Sequence, residues 1–434
     1  MSTPPLRTDS SKNMDVTPSK VTPNDERREV DSEWPQLLLD DTDQSIVHFE
    51  LSELDEPETM RKTEERREMD SEWMRPTTGS IVLSNGGNGR DWIGGAEAEE
   101  FVPMSVRMVG AVLRRIDSWV YRKDGTVNRA RQDFFEVKAK ANAKPVNGVS
   151  TKDVVIDPAT GVWARVFTPD QEIMPEFEAE DGQSEKKLPV IVYYHGGGFV
   201  GMSPDVVVYD KLCRRLARAA NAVVVSVHYR RAPEFRYPVA YEDSFRALEW
   251  LQSAESQEEL PGAADLTQCF LAGDSAGGNI VHFVGCMAAK SDLRPIQLRG
   301  LVLLQPFFGG EDRTTSELTV NPPVLSLERA DWGWKAFLPE DADRDHPACN
   351  VSGPNSMDIS TLRLPPVFVV IGTLDILKDW QMRYVKKLEK HNKQVRAEIY
   401  VGGFHSFYAF EGNELGDRAM ADVVAFIDSH MDLD

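Results

Sequence analysis

The chain has 434 residues, 41% apolar and 27% charged, with a formal net charge of −21. This composition suits a soluble protein with room for one large α/β domain plus further material, and its acidity argues against the basic surface that nucleic-acid binding requires. No apolar run approaches the ~20 residues of a membrane-spanning helix, so no membrane partner is expected.

Residues 1–98 read as a disordered acidic tail. They are rich in Glu, Asp, Ser, Thr and Pro, and residues 1–100 hold 24 acidic against 11 basic side chains. Such a segment buries too little apolar surface to offset its ordering entropy. The opening MSTPPLRTDSSKNMD lacks the apolar core of a secretory signal. The four cysteines form no C-x-x-C pair, which removes the usual zinc and dithiol patterns. Reduced thiols and a cytoplasmic or nuclear location are expected. ERREVDSEW (26–34) recurs as ERREMDSEW (65–73). Two copies are too few for a solenoid, but each could offer one tryptophan to a protein partner.

Residues 99–147 read as a lid-like helical segment. Val106, Val109, Val112 or Leu113, Ile116 and Val120 recur at helical spacing, and this helix is a second candidate surface for a protein partner. Residues 148–434 then alternate strand-like and helix-like runs. The first two strands, KDVVID and VWARVFTP, flank a DPATG turn and read as an antiparallel hairpin. The later Val/Ile/Leu runs, including LPVIVYY, VVVSVH, LVLL and VFVVIG, are unbroken. Unbroken apolar strands belong to a parallel sheet covered by helices on both faces. The expected fold class is α/β.

The chemistry enters at LAGDSAGGN (271–279). Gly273-Asp274-Ser275-Ala276-Gly277 fits G-x-S-x-G between a strand and a helix, the context of a nucleophile elbow. A serine hydroxyl needs a base to take its proton, and in such folds the chain order is serine, acid, histidine. Of the eight histidines, His405 follows a late strand on a loop opened by Gly402 and Gly403. Asp375, at the tip of VFVVIGTLD, is the expected acid. Asp379 is its competitor, but an acid in the first turn of a helix is favoured by the dipole alone. HGGG (195–198) follows LPVIVYY and matches an oxyanion motif, whose bare amides stabilise charge on a carbonyl oxygen. Gly196 and Gly197 are expected to donate, with Ala276 as the third donor. His195 is read as orienting this loop. The reaction calls for no cofactor and no metal.

With HGGGF, YRRAPE (229–234), GDSAGGN, Asp375 and His405 in place, the chain resembles the hormone-sensitive-lipase-like branch of the α/β-hydrolases. It is more closely similar to the plant carboxylesterase group that includes the gibberellin receptors. The resemblance extends to RKDGTVNR, ANAKPVNGV, DWGWKAFLPE, DRDHPACN and LKDWQ. It implies an α/β-hydrolase fold with a mostly parallel sheet, an N-terminal lid segment, and either of two functions. One is a serine carboxylesterase for small, largely apolar esters. The other is a hormone-binding protein that captures a diterpenoid acid and recruits a transcriptional repressor. Receptors of this group typically replace the histidine with an aliphatic residue and read H-G-G-S-F, whereas this chain keeps His405 and has Gly198. Where they read D-R-D-W-Y-W, it has Arg329, Ala330 and Gly333. Tyr209 and Tyr408 match receptor pocket tyrosines, so the resemblance places them, with Gly198, at a substrate pocket. The hydrolytic set is complete and the hormone-clamping set is broken, which favours the enzyme.

Overall fold

The computed structural model describes residues 80–83, 103–170, 187–410 and 412–431, all within Pro57–Asp434. The repeated tail motifs lie outside the described residues. Nine strands form one sheet: β1 (Ser80–Leu83), β2 (Val149–Asp157), β3 (Val162–Pro169), β4 (Leu188–Tyr194), β5 (Val223–His228), β6 (Ala264–Asp274), β7 (Leu298–Leu304), β8 (Val367–Leu374) and β9 (Val395–Phe404). Their order is β1-β9-β8-β7-β6-β4-β5-β3-β2. The β2–β3 hairpin is antiparallel, as its short turn predicts, and β3 also runs antiparallel to β5. From β5 across to β1 every pairing is parallel. β1 was not expected: it lies within the acidic stretch, yet its backbone pairs with Arg396–Ile399 of β9.

The helices are α1 (Met104–Val120), α2 (Arg129–Phe135), α3 (Val207–Ala219), α4 (Val239–Leu251), α5 (Ala254–Glu259), α6 (Ala276–Ala288), α7 (Thr315–Thr319), α8 (Leu327–Phe337), α9 (Lys378–Lys390) and α10 (Glu414–Asp428). Two apolar cores result from the strand period of two. In β4, Ile191 and Tyr193 point to the core shared with α3 and α10, while Val190, Val192 and Tyr194 point to the larger core shared with α4, α6, α8 and α9. Every residue of β4 is buried. This is why its sequence shows no polar alternation. No helix among the described residues is long and apolar enough to cross a membrane.

α1 departs from its expected face. Val106 and Val120 are buried, but Val109 and Val112 remain 42% and 58% exposed. The stripe that packs inward runs through Val106, Gly110, Leu113, Asp117 and Val120, a 3.6-residue path that the neighbouring valines flank. Gly110 makes this docking possible, because a Cβ there would stand 1.6 Å from the Pro323 carbonyl oxygen. Gly110→Ala is therefore expected to loosen α1. Limited proteolysis should cut sooner within Arg114–Arg115, and stability should fall by about 1–3 kcal/mol. Val112→Ala, on the exposed side, should change neither.

Candidate active site

Ser275 sits between the end of β6 and the start of α6 with φ 51° and ψ −117°. A non-glycine residue with positive φ is strained, and three backbone bonds hold it there. Its N–H donates to Leu304 O at 2.9 Å, and its carbonyl accepts from Phe307 N at 2.8 Å and Asn279 N at 3.1 Å. The turn lifts the hydroxyl to the carboxyl end of the sheet, where His405 Nε2 lies 3.0 Å from Ser275 Oγ.

His405 directly follows β9, and Ser406 after it takes a left-handed φ of 64°. His405 Nδ1 is 2.9 Å from Asp375 Oδ2. Asp375 follows β8 and is fully buried. Its burial is compensated by Gln305 Nε2 and Gln381 Nε2, each donating to Oδ2 at 3.1 Å, and by Leu377 N–H donating to Oδ1 at 3.0 Å. The three residues expected to act together are thus one continuous chain of contacts. Asp379 is elsewhere: its Oδ2 accepts the Ser316 N–H at 2.7 Å and so tethers α7 to α9.

Gly196 departs from its expected role. Its N–H donates to Tyr209 Oη at 2.8 Å and to Asp274 Oδ1 at 3.0 Å, so this donor is already engaged. Among the described residues, the N–H groups of Gly197, Gly198 and Ala276 have no acceptor. Gly197 and Gly198 have φ values of 103° and 63°, which glycine adopts without strain. Both are partly exposed.

Tyr209 and Tyr408 also depart from expectation. Tyr209 is buried, and its hydroxyl donates to Asp274 Oδ2 at 2.9 Å. The buried Tyr408 hydroxyl turns to Leu304 O at 3.4 Å. Their hydroxyls are bonded to the scaffold. His195 keeps its orienting role. Its ring stacks on Tyr229 with centroids 4.4 Å apart, and its Nδ1 is 2.8 Å from Gly196 O. Burial lowers its pKa to about 3, so the ring is neutral.

Two residues escaped the sequence reading. Asp274 precedes the serine, but strand alternation turns its carboxylate into the HGGG loop, where Tyr193 Oη donates to it at 2.9 Å. Its only signal was a charged residue at the tip of an otherwise apolar strand. Gln305 is buried with φ 44°. Besides binding Asp375, its Oε1 accepts the Ser406 N–H at 2.7 Å. One amide therefore ties the acid's loop to the histidine's loop. The signal was a polar residue ending LVLL before proline. A cavity of about 870 Å³ lined by Trp380, Arg383, Lys387 and His391 contains none of the three triad-like side chains.

A family model described as alpha/beta hydrolase fold matches residues 191–409. The gibberellin receptor GID1C of Arabidopsis thaliana is 38% identical over 336 residues, covering 77% of this chain and 96% of the receptor. Carboxylesterase 20 of the same plant is 37% identical over 295 residues, 65% of this chain and 86% of the esterase. Among solved structures, a hyperthermophilic esterase from the archaeon Pyrobaculum calidifontis superposes with a TM-score of 0.58 at 27% identity, covering 74% of this chain and 97% of that one. The chain belongs to the α/β-hydrolase family, in the hormone-sensitive-lipase-like branch that holds both plant carboxylesterases and gibberellin receptors.

Asp274 generates a pH prediction. Burial pushes its carboxyl up to about 6, against the partial relief of its tyrosine and Gly196 donors. The unfolded value is near 3.9. A raised folded pKa means that the native state binds the proton more tightly, so the contribution favours folding below about pH 4 and is lost as pH rises through about 6. Relative to Asp274→Asn, the native protein should lose on the order of 3 kcal/mol of stability between pH 4 and pH 7. Denaturant titrations of both proteins across that window check this, and parallel profiles would contradict it.

Proposed function

We propose that the protein is a serine carboxylesterase acting on small, largely apolar carboxylic esters. The observation that carries this reading is the 3.0 Å and 2.9 Å contacts that make His405 the link between Ser275 and Asp375. Ser275 Oγ attacks the ester carbonyl carbon while its proton passes to His405 Nε2. The carbonyl oxygen becomes negative and is held by N–H groups of Gly197, Gly198 and Ala276, with Gly196 excluded by its prior bonds. Ala276 opens α6, whose dipole adds to the same stabilisation. Collapse expels the alcohol, which takes the proton from His405 and leaves an acyl group on Ser275. A water then attacks, His405 takes its proton, and the acid departs as Ser275 recovers its hydrogen. Asp375 keeps the imidazole in the productive tautomer and stabilises its cation without itself becoming protonated.

The 38% identity to a gibberellin receptor over nearly that receptor's whole length favours a second reading, a hormone-binding protein that closes α1 over its ligand and engages a protein partner. The same experiment addresses both. Turnover of p-nitrophenyl acetate should be readily measured and fall by about 10⁶ in Ser275→Ala, while calorimetric titration with gibberellin should give no binding heat. Tight hormone binding without turnover would establish the second reading instead.

Gln305 is a positioning residue in this scheme, acting through Asp375 and His405. Gln305→Leu should lower kcat by about 10²-fold, the scale of a small misplacement, with KM nearly unchanged because no substrate contact is lost. A fall confined to KM would contradict the assignment.

A further inference from the structure

Arg329 lies near the start of α8, and its side chain is only 14% exposed. Its guanidinium carbon stands 3.9 Å from the Tyr121 ring centroid and 5.4 Å from that of Trp332. The two rings are themselves 4.8 Å apart. They supply an electron-rich wall but accept no N–H bond in the plane of the fork. The nearest carboxylate oxygen among the described residues, Asp117 Oδ2, is 3.9 Å from Nε, beyond hydrogen-bond length. Asp117 is a poor counterion in another respect. Burial raises its carboxyl pKa, and the arginine offsets that only in part. No side-chain hydrogen bond joins Arg329 to a described residue; its backbone N–H donates to Ser326 Oγ at 3.2 Å. The five guanidinium donors thus have no acceptor among the described residues, and the side chain keeps a narrow opening to solvent through which an anion could reach them.

The position of this charge matters. Nη1 lies 3.5 Å from where a Cβ on Gly198 would stand and 3.3 Å from the corresponding point on Gly333. Gly198 ends the HGGG loop. The same point on Gly333 lies 3.5 Å from Phe307, whose N–H donates to the Ser275 carbonyl at 2.8 Å. Side chains at 198 and 333 would crowd the guanidinium, and the two glycines leave those sides of it uncovered. Asp117 of α1 and Tyr121 just after it stand against the guanidinium, and Gln132 of α2 donates from Nε2 to both Tyr121 Oη and Val200 O at 3.4 Å.

We infer that Arg329 is a specificity residue that grips a carboxylate on the substrate, so that the esters this protein prefers carry one negative charge a few carbons from the scissile carbonyl. This rests on the esterase reading above and refines it: an otherwise apolar ester bears a single anionic tail. A planar guanidinium matches a carboxylate with two parallel hydrogen bonds, and stacking on Tyr121 fixes the plane of the fork beforehand.

The test compares matched esters. Mono-p-nitrophenyl glutarate is set against p-nitrophenyl pentanoate for a charge on the acyl side, and 4-acetoxybenzoate against phenyl acetate for a charge on the alcohol side. In the native protein, kcat/KM for at least one anionic ester should exceed that of its neutral partner by about tenfold to a hundredfold, the range of a charge-assisted bond. Arg329→Gln should abolish that ratio, and Arg329→Lys should restore part of it. The inference is overturned if neither anionic ester is preferred, or if the ratio survives in Arg329→Gln. Absence of turnover on all four esters would sink the esterase reading alone. Arg329 is then read by calorimetry on the native protein and Arg329→Gln, with monomethyl glutarate and methyl pentanoate. Heat from the glutarate only, lost in the variant, supports the anion site, and equal behaviour of the two ligands overturns it.

Discussion

Gly277 lies so close to the end of β4 that a Cβ there would stand 1.8 Å from the Tyr194 carbonyl oxygen. This crossing of strand and helix is the constraint on which the site depends. It brings α6 directly under the HGGG loop and forces the chain to turn within one residue, which is why Ser275 occupies a positive φ. That strain is held by backbone bonds to Leu304, Phe307 and Asn279 and by the buried packing of α6. The hydroxyl is therefore presented at a fixed point at the carboxyl end of the sheet, where β8 and β9 deliver Asp375 and His405.

Around that point the structure separates two buried carboxylates by their partners. Asp375 receives the His405 ring and two amide groups, an arrangement suited to stabilising positive charge on the imidazole. Asp274 receives two tyrosine hydroxyls and the Gly196 N–H, an arrangement that fixes the loop on which the bare amides stand. The two acids come from strands two apart in the sheet and do different work because their donors differ. Gln305 and Tyr209 complete this division, one joining the acid and histidine loops, the other joining Asp274 to the glycine loop.

Three of the departures from the gibberellin-receptor pattern fall in one place. Gly198, Arg329 and Gly333 are distant in sequence, yet the atoms of Arg329 face both glycines. A serine and a tyrosine side chain are absent there, and a guanidinium occupies the vicinity. The guanidinium beside Gly198 thus coexists with the Ser275–His405–Asp375 contacts.

Much of the architecture was legible because its causes are local. Parallel strands such as β4, β5 and β8 appear as unbroken Val/Ile-rich runs, since burial on both faces demands them, and G-x-S-x-G announces a turn that only small residues permit. The order of Ser275, Asp375 and His405 followed from the nucleophile-elbow pattern, and the choice of acid and histidine from their places after late strands. The remainder required tertiary structure, because it depends on which groups compete for the same atom. A glycine N–H in HGGG reads as a free donor until Asp274 and Tyr209 are found bonded to it. A pair of pocket tyrosines reads as free hydroxyls until they are found bonded to Asp274 and to the Leu304 carbonyl. The face of α1 turns on Pro323, a residue of another segment, and the placing of the Arg329 guanidinium turns on rings from α8 and from the chain just after α1. Sequence determined the sheet and the trio Ser275, Asp375 and His405 through backbone periodicity and steric need. The partners of each polar atom, and hence the donors left for chemistry, were decided only by packing.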